Sequence, residues 1–221
     1  MKILLSWSTG KDSAWTLHVL RAQYPGAVGG LLTSINTSAD RVSMHGVRMG
    51  VLHAQAAAAG LPLRTIPLPF PCTNEDYEQR LARAVQTARN DGFTHVAFGD
   101  LFLEDVRRYR EERLYGTGLT PIFPLWGLPT DTLAREMVDA GVQAILTCVD
   151  TEALSREFAG RDFASALATL PPSVDPCGER GEFHTCVTAG PMFSSPLSVA
   201  TGEIVQRDRF VFCDLVLAEG R

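Results

Sequence analysis

Residues 8–13 carry the sequence Ser8-Thr9-Gly10-Lys11-Asp12-Ser13, which separates a short apolar run from an amphipathic stretch. The apolar run, Lys2–Trp7, has the length and composition of a buried parallel strand. After the loop, Ala14 and Leu17 begin a pattern of helical spacing that ends at Pro25-Gly26. A strand, a glycine-containing turn and a helix in this order predict an anion site at the helix N-terminus.

Each residue type in this loop has a use in phosphate binding. Gly10 lets the backbone turn and approach a ligand closely, and the three hydroxyl side chains add hydrogen-bond donors. Lys11 supplies a compact positive charge on a flexible stem. Asp12 would repel phosphates, so we expect it to hold Mg²⁺ or to cap the helix. A plain helix cap followed by a surface Lys-Asp pair is the alternative that needs no ligand.

A Walker A loop is a competing interpretation, and the sequence rejects it. That motif needs a glycine five residues before its Gly-Lys pair and a Ser or Thr directly after the lysine. Leu5 and Asp12 occupy those positions here.

Composition limits the classes of function. The chain has 221 residues, 45% of them hydrophobic and 20% charged, as in an ordinary globular protein. Its formal net charge of −5 argues against a nucleic-acid partner. The five cysteines form no C-x-x-C pair, so no zinc or iron–sulfur site is indicated, and free thiols are typical of the cytoplasm. We expect a cytoplasmic protein without a membrane span, because no apolar run is long enough for one.

Strand-like and helix-like stretches alternate through the first half of the chain, with further buried strands predicted at Val28–Ile35 and Phe93–Phe98. This alternation predicts an α/β fold with a doubly wound parallel sheet, whose polar loops meet at the carboxyl ends of the strands. Residues 121–129 are rich in proline and are predicted to form a rigid connector. We predict a first domain over residues 1–125 and a smaller C-terminal α+β domain over residues 126–221.

Three segments, which keep one order and span most of the chain, together resemble a known family. Residues 7–13 are similar to the S-G-G-K-D-S loop of the ATP pyrophosphatase (PP-loop) superfamily, with Thr9 in place of the first glycine. Phe98-Gly-Asp100, followed by an Arg/Glu-rich helix and Pro124-Leu-Trp126, resembles the diphthine–ammonia ligase family. Residues 178–185 are close to the G-E-x-G-E-F-x-T stretch of that family.

The resemblance implies an adenine nucleotide alpha hydrolase-like fold and an ATP-dependent, amide-forming ligase. Residues 8–13 would bind ATP, and the C-terminal domain would recognise the substrate. A diphthine-like carboxylate would be adenylated with release of pyrophosphate, and ammonia would then displace AMP. Lys11 and Mg²⁺ would stabilise the charge on the departing pyrophosphate. The implied partners are ammonia and a small or protein-borne carboxylate, and a homo-oligomer is left open.

Further site residues are predicted on the same basis. Asp100 ends a predicted strand at the ligand edge, where we expect a catalytic role at ATP, Mg²⁺ or the acyl acceptor rather than a loop cap. Glu179, Glu182 and His184 are predicted to bind the substrate, and Glu182 is also predicted to be catalytic. A polar turn is the alternative for these three residues.

For several side chains the sequence allows both a structural role and a role in the site. The helix Glu104–Tyr115 carries four arginines, which normally form a solvated face, but one of them can meet a phosphate or a substrate carboxylate. His45 follows a strand and is either structural or part of the nucleotide site.

Two other functions are compatible with the loop. One is a tRNA-modifying adenylase that transfers sulfur through cysteines, for which Cys148 and Cys177 are the candidates. The other is a nucleotide-binding sensor that binds ATP without turnover.

Overall fold

The computed structural model describes residues 1–218, and its first half forms a largely parallel sheet. Five parallel strands follow the order β4-β2-β1-β5-β6, and the short β3 pairs antiparallel with the end of β2. The strands are β1 (Ile3–Ser6), β2 (Val28–Asn36), β3 (Arg41–Val42), β4 (Leu63–Leu68), β5 (His95–Ala97) and β6 (Thr120–Ile122).

Helices cover both faces of this sheet. They are α1 (Lys11–Gln23), α2 (Met49–Ala59), α3 (Asn74–Asn90) and α4 (Glu104–Leu114). Successive residues of β1 point to opposite faces, as a strand requires. Leu5 therefore packs in a core cluster with Leu17 of α1 and Leu52 of α2, whereas Leu4 packs in a second cluster with Val85 of α3. The predicted doubly wound α/β fold is confirmed.

The second half of the chain forms a separate antiparallel sheet. Its strands are β7 (Gln143–Asp150), β8 (Phe183–Ala189), β9 (Val199–Arg207) and β10 (Phe210–Leu217), in the order β8-β7-β10-β9. Helices α5 (Thr130–Asp139) and α6 (Phe163–Leu167), with a 3₁₀ turn at Arg156–Phe158, accompany the sheet. The predicted smaller α+β part is confirmed.

One part of the predicted connector is wrong. Residues 120–122 form β6, which pairs in parallel with β5. Pro121 cannot donate to a ladder, and it is tolerated here because β6 lies at the edge of the sheet. The change of sheet falls between β6 and β7, and the boundary at residue 125 stays a prediction.

The two sheets share one continuous core, which contains residues of both. They also meet at the loop between β1 and α1. The amide of Val187 on β8 donates to the carbonyl of Thr9 at 3.0 Å, and the Gln55 amide group of α2 bridges the carbonyls of Thr9 and Val187 at 3.0 and 2.7 Å. The C-terminal sheet therefore supports the predicted phosphate loop directly.

Candidate active site

The loop between β1 and α1 turns at Thr9. Thr9 has a φ of +74°, in the left-handed region that favours glycine, whereas Gly10 has a φ of −84°. The Thr9 side chain is buried, and its hydroxyl has no hydrogen-bond partner within residues 1–218. It does not line the cavity described below, so its expected role as a hydroxyl donor to ATP gains no support.

Gly10 allows close packing and does not make the turn. The expectation that the backbone turns at Gly10 is therefore wrong. A Cβ at this position would lie 2.9 Å from Cε1 of His45 and 3.2 Å from the carbonyl oxygen of Thr185. On the same side, the hydroxyl of Thr185 accepts the Lys11 amide at 3.1 Å. Glycine therefore allows β8 to approach the start of α1.

Lys11 is almost fully buried, with its side chain 2% exposed. Its ammonium pairs with the Asp12 carboxylate at 2.9 Å, donates to the carbonyl of Cys177, and lies 5.5 and 5.4 Å from the rings of Phe163 and Phe183. Burial alone would lower the pKa of Lys11, but the charge of Asp12 and the other acidic neighbours outweigh it and raise the pKa. Lys11 is therefore a fixed positive charge at neutral pH.

The remaining loop groups present donors to one cavity. The Ser8 and Ser13 hydroxyls lie 3.2 Å apart, and both residues line the cavity. The amides of Asp12 and Ser13 meet no backbone carbonyl within residues 1–218. Free amides at a helix start carry positive partial charge, so this end of the cavity is suited to an anion.

The cavity has a volume of about 530 Å³, which is large enough for a nucleotide-sized ligand. One wall is formed by Ser8 and residues 11–13 of the loop, and the floor includes Leu4, Leu32 and Ile66 of the sheet. It thus joins a polar end at the carboxyl edge of the sheet to an apolar interior.

Asp100 lies beside the loop, as predicted. A Cβ on the neighbouring Gly99 would lie 3.0 Å from the Asp12 backbone, which shows how closely the two segments approach. Burial raises the pKa of the Asp100 carboxyl, and Arg110 partly opposes this effect. Asp12 and Asp100 therefore form an acidic edge next to Lys11.

Glu179 and Glu182 have different surroundings. Glu179 lines the cavity, and its carboxylate accepts the Leu101 amide at 2.7 Å. Burial raises the pKa of Glu179 to about 7. Glu182 instead accepts the amides of Asp175 and Arg180 at 3.0 and 2.9 Å and does not line the cavity. The carboxylate of Glu182 therefore shapes the loop, and its expected catalytic role stays a prediction.

Two histidines meet at the cavity. The rings of His45 and His184 lie 4.6 Å apart between centroids, and the Nδ1 atom of His45 lies 3.1 Å from the carbonyl oxygen of Thr185. Burial lowers the pKa of His45 to about 3 and that of His184 to about 4. Both imidazoles are therefore neutral near pH 7, and they can contact a ligand without adding charge.

The arginines of α4 separate into two groups. Arg107 lies over the rings of Phe123 and Trp126, at 4.8 and 4.7 Å from their centroids. Arg110 and Arg113 line the cavity, and Arg113 is paired with Glu78 at 3.0 Å. The spacing in the sequence could not separate these groups, because all four residues lie on a short, highly charged helix.

Within residues 1–218, no group of three His, Cys, Asp or Glu side chains is arranged to hold a metal ion. Mg²⁺ at nucleotide sites is normally held by one or two carboxylates together with phosphate oxygens. Asp12 and Asp100 have the chemistry for that arrangement. In the same described part of the chain, no helix has the length and apolar character needed to cross a membrane.

A parallel sheet with a lysine-containing loop between its first strand and first helix, open to a nucleotide-sized cavity, defines a PP-loop type α/β protein. Residues 1–119 match the family model of the diphthamide synthase N-terminal domain, and residues 129–218 match that of the C-terminal domain. The chain therefore belongs to the diphthamide synthase family.

Two relatives are similar over much of this chain. The diphthine–ammonia ligase of Schizosaccharomyces pombe is 32% identical over 155 residues, which cover 67% of this chain and 26% of the relative. The diphthine–ammonia ligase of Bos taurus is 25% identical over 179 residues, which cover 73% of this chain and 66% of the relative. The matched part thus spans about a quarter of the first relative and just under two thirds of the second.

Proposed function

We propose that this protein is an ATP-dependent ligase that converts a diphthine carboxylate to an amide with ammonia. In the first step a carboxylate oxygen attacks the α-phosphorus of ATP, and pyrophosphate leaves. In the second step ammonia attacks the acyl carbon and loses a proton, and AMP leaves. The observation that supports the proposal best is the joint placement of Lys11, Asp12 and Asp100 at one cavity beside free helix amides.

The loop residues 8–13 would hold the β- and γ-phosphates. Lys11 is positioned to stabilise the negative charge that grows on pyrophosphate as it leaves, since its ammonium is already fixed and desolvated. When ATP binds, the Lys11 ammonium would be shared between the Asp12 carboxylate and the phosphates. The Ser8 and Ser13 hydroxyls and the amides at the start of α1 supply neutral donors.

Mg²⁺ is the cofactor that this arrangement fits. Asp12 is 27% exposed, and the Asp100 carboxylate is held only by a long, 3.5 Å ion pair with Arg110, so both carboxylates have lone pairs left for a metal ion. When bound there, Mg²⁺ would neutralise charge on the phosphates and polarise the α-phosphorus.

Glu179 is the residue best placed to handle the proton of the incoming amine. It lines the cavity beside Asp12 and Asp100, and its raised pKa lets it accept a proton near neutral pH. His184 also lines the cavity and stays neutral, which suits contact with an uncharged or cationic part of the substrate.

The alternative of sulfur transfer is less well supported. Cys177 is buried and its thiol donates to the carbonyl of Thr130. Burial raises the pKa of both Cys148 and Cys177 to about 12, so neither is a ready thiolate. All five cysteines are free, which supports a reducing compartment, and we propose the cytoplasm.

The test is pyrophosphate release from ATP with Mg²⁺, ammonium and a peptide that carries diphthine. We expect AMP and pyrophosphate from the wild type and a loss of about a hundredfold or more in Lys11→Ala, by analogy with removing a transition-state charge partner. Lys2→Ala is the matched control, since Lys2 is the only other lysine and is exposed. Circular dichroism would establish that both variants are folded.

Three outcomes oppose the proposal. ADP as the product would exclude adenylation. ATP binding without turnover would favour a sensor. Binding of tRNA that weakens steeply with salt would favour the tRNA-modifying alternative.

A further inference from the structure

Arg110 and Asp100 form an incomplete pair at the cavity. The Nε atom of Arg110 lies 3.5 Å from Oδ2 of Asp100, an ion pair that is too long for a well-formed hydrogen bond. Both atoms are buried, and neither has another hydrogen-bond partner within residues 1–218. Buried polar groups are nearly always satisfied in native proteins. The pair is therefore loosely held, and the guanidinium of this cavity-lining residue has donors left for a ligand.

The guanidinium of Arg110 is held in place before any ligand arrives. It lies 5.0 Å from the centroid of the Phe98 ring, at the end of β5, and its side chain is 29% exposed. Stacking on an aromatic ring fixes the plane of a guanidinium while leaving its donors available. Arg113, one turn later, is already paired with Glu78. Of the two arginines of α4 that line the cavity, Arg110 is therefore the one with the weaker ion pair.

We propose that Arg110 binds the carboxylate that is adenylated and presents it to the α-phosphorus of ATP. This inference rests on the proposed function and names the residue that selects the acyl substrate. A guanidinium matches a carboxylate through two parallel hydrogen bonds, so it fixes direction as well as position. When the substrate carboxylate binds, Arg110 would exchange its ion pair with Asp100 for this carboxylate. Asp100 would then be available to hold Mg²⁺.

The position of Asp100 explains why a carboxylate fits better than a phosphate. Asp100 is close to both Asp12 and Arg110: a Cβ on the neighbouring Gly99 would lie 3.0 Å from the Asp12 backbone, and Oδ2 of Asp100 lies 3.5 Å from Nε of Arg110. The triphosphate already has Lys11 and the helix amides on the loop side. A carboxylate bound by Arg110 would lie next to Asp100 and leave the loop donors to the triphosphate. In-line attack requires this arrangement, with the nucleophile opposite the departing pyrophosphate.

The test compares Arg110→Gln with Arg108→Gln, a matched control because Arg108 lies on the same helix, is exposed and does not line the cavity. For Arg110→Gln we expect the KM for the diphthine peptide to rise about ten- to a hundredfold, the range for losing a hydrogen-bonded charge. The Kd for ATP should stay within about twofold of the wild-type value, because the lost contact is to the peptide carboxylate and not to ATP. Addition of guanidinium ion should partly restore Arg110→Ala.

Equilibrium binding separates this inference from the proposed reaction. The diphthine peptide is titrated calorimetrically into each protein with Mg²⁺ and α,β-methylene-ATP, which cannot release pyrophosphate. Weaker peptide binding in Arg110→Gln alone supports the assignment, even if the wild type shows no turnover and the reaction proposed above fails. Equal peptide binding in both variants, no peptide binding by the wild type, or a loss confined to ATP would overturn it.

Discussion

Thr9 holds a backbone conformation that disfavours its own side chain. A β-branched residue in the left-handed region is uncommon, and this one also buries a hydroxyl without a partner in the described chain. The carbonyl of Thr9 accepts two hydrogen bonds, from Val187 and Gln55, and these contacts hold the peptide in place. The surroundings therefore impose a conformation that glycine would adopt freely.

Replacing Thr9 by glycine should stabilise the protein. We expect Thr9→Gly to raise the free energy of unfolding by about 1 kcal/mol, because relief of left-handed strain exceeds the entropy cost of glycine. Urea denaturation measures the difference. Asp40→Gly is the control, since Asp40 has a similar φ of +52° but is exposed and tolerates it better. A loss of stability in Thr9→Gly would show that methyl packing outweighs the strain.

Glu179 should give the reaction a pH dependence. Its pKa is raised to about 7 by burial, with Asp12 and Asp100 adding to the shift, and Lys11 and the Leu101 amide opposing it. Its basic form is therefore present above about pH 7 and is lost as the pH falls. We expect the rate at constant free ammonia to fall below pH 7 in the wild type.

Glu179→Gln isolates this effect. The variant should be slower and should lack the pH limb near 7, while its dependence on free ammonia is retained. Glu182→Gln is a useful comparison, because that carboxylate accepts loop amides away from the cavity and should mainly lower stability. An unchanged limb in Glu179→Gln would remove Glu179 from the proton transfer.

At the scale of elements, the loop between β3 and α2 depends on a distant carboxylate. Asp214 on β10 accepts Arg41 at 2.6 Å and Arg48 at 2.6 to 3.1 Å. These arginines flank Ser43, Met44 and His45, which line the cavity. Phe212 also packs against Gly46, 3.1 Å from a Cβ built there. The C-terminal sheet thus positions one wall of the cavity that we propose to bind ATP.

Removing the charge of Asp214 should loosen that wall. We expect Asp214→Asn to weaken ATP binding about three- to tenfold without a contact to ATP, because a partly buried ion pair to two arginines is lost. Calorimetry gives the Kd, and hydrogen exchange should increase in residues 41–48. Glu157→Gln is the control, because Glu157 is exposed in the 3₁₀ turn at Arg156–Phe158 and lies outside the groove that holds Asp214. Unchanged exchange in the loop would contradict the coupling.

The elements themselves were largely predictable. Long stretches such as α1 and β2 were found because many apolar and small residues follow one another between turn residues such as Pro25-Gly26. The strands β3 and β6 were missed because two or three residues carry no period, and Pro121 argues against a strand unless its edge position is known. The edge position of β6 follows from the order of all the strands in the sheet, which the local sequence does not reveal.

The site was predictable where strand ends fix it. Lys11, Asp12 and Asp100 follow parallel strands, and the sheet alone brings them together. The roles of Glu179 and Glu182 could not be separated, because their directions depend on hydrogen bonds to loop amides far from any regular element. Arg110 likewise became distinct from its neighbours only through its stacking on Phe98.

At the scale of the whole molecule, β8 completes the loop at residues 8–13. The Thr185 hydroxyl accepts a hydrogen bond from the Lys11 amide. A side chain of the C-terminal sheet therefore holds the first turn of α1, whose other amides are left for a ligand. We expect Thr185→Val to weaken ATP binding about fivefold or more and to lower stability by about 1–2 kcal/mol, as for an amide left unsatisfied.

Thr188→Val provides the matched control on the same strand. Thr188 is also buried and donates to the carbonyl of Gln143, away from the loop. Its replacement should cost stability without changing the Kd for ATP, which calorimetry and thermal unfolding would measure together. If both variants changed ATP binding equally, β8 would contribute only to the stability of the fold and not specifically to the loop.

The most direct test of the account follows the oxygen atoms of the acid. Diphthine labelled with ¹⁸O in its carboxylate is incubated with the protein, ATP, Mg²⁺ and ammonium, and the nucleotide product is analysed by mass spectrometry. Attack on the α-phosphorus predicts AMP that carries one ¹⁸O atom, with the other retained in the amide. Unlabelled AMP, or ADP as the nucleotide product, would contradict the assignment of residues 8–13 to an adenylating site.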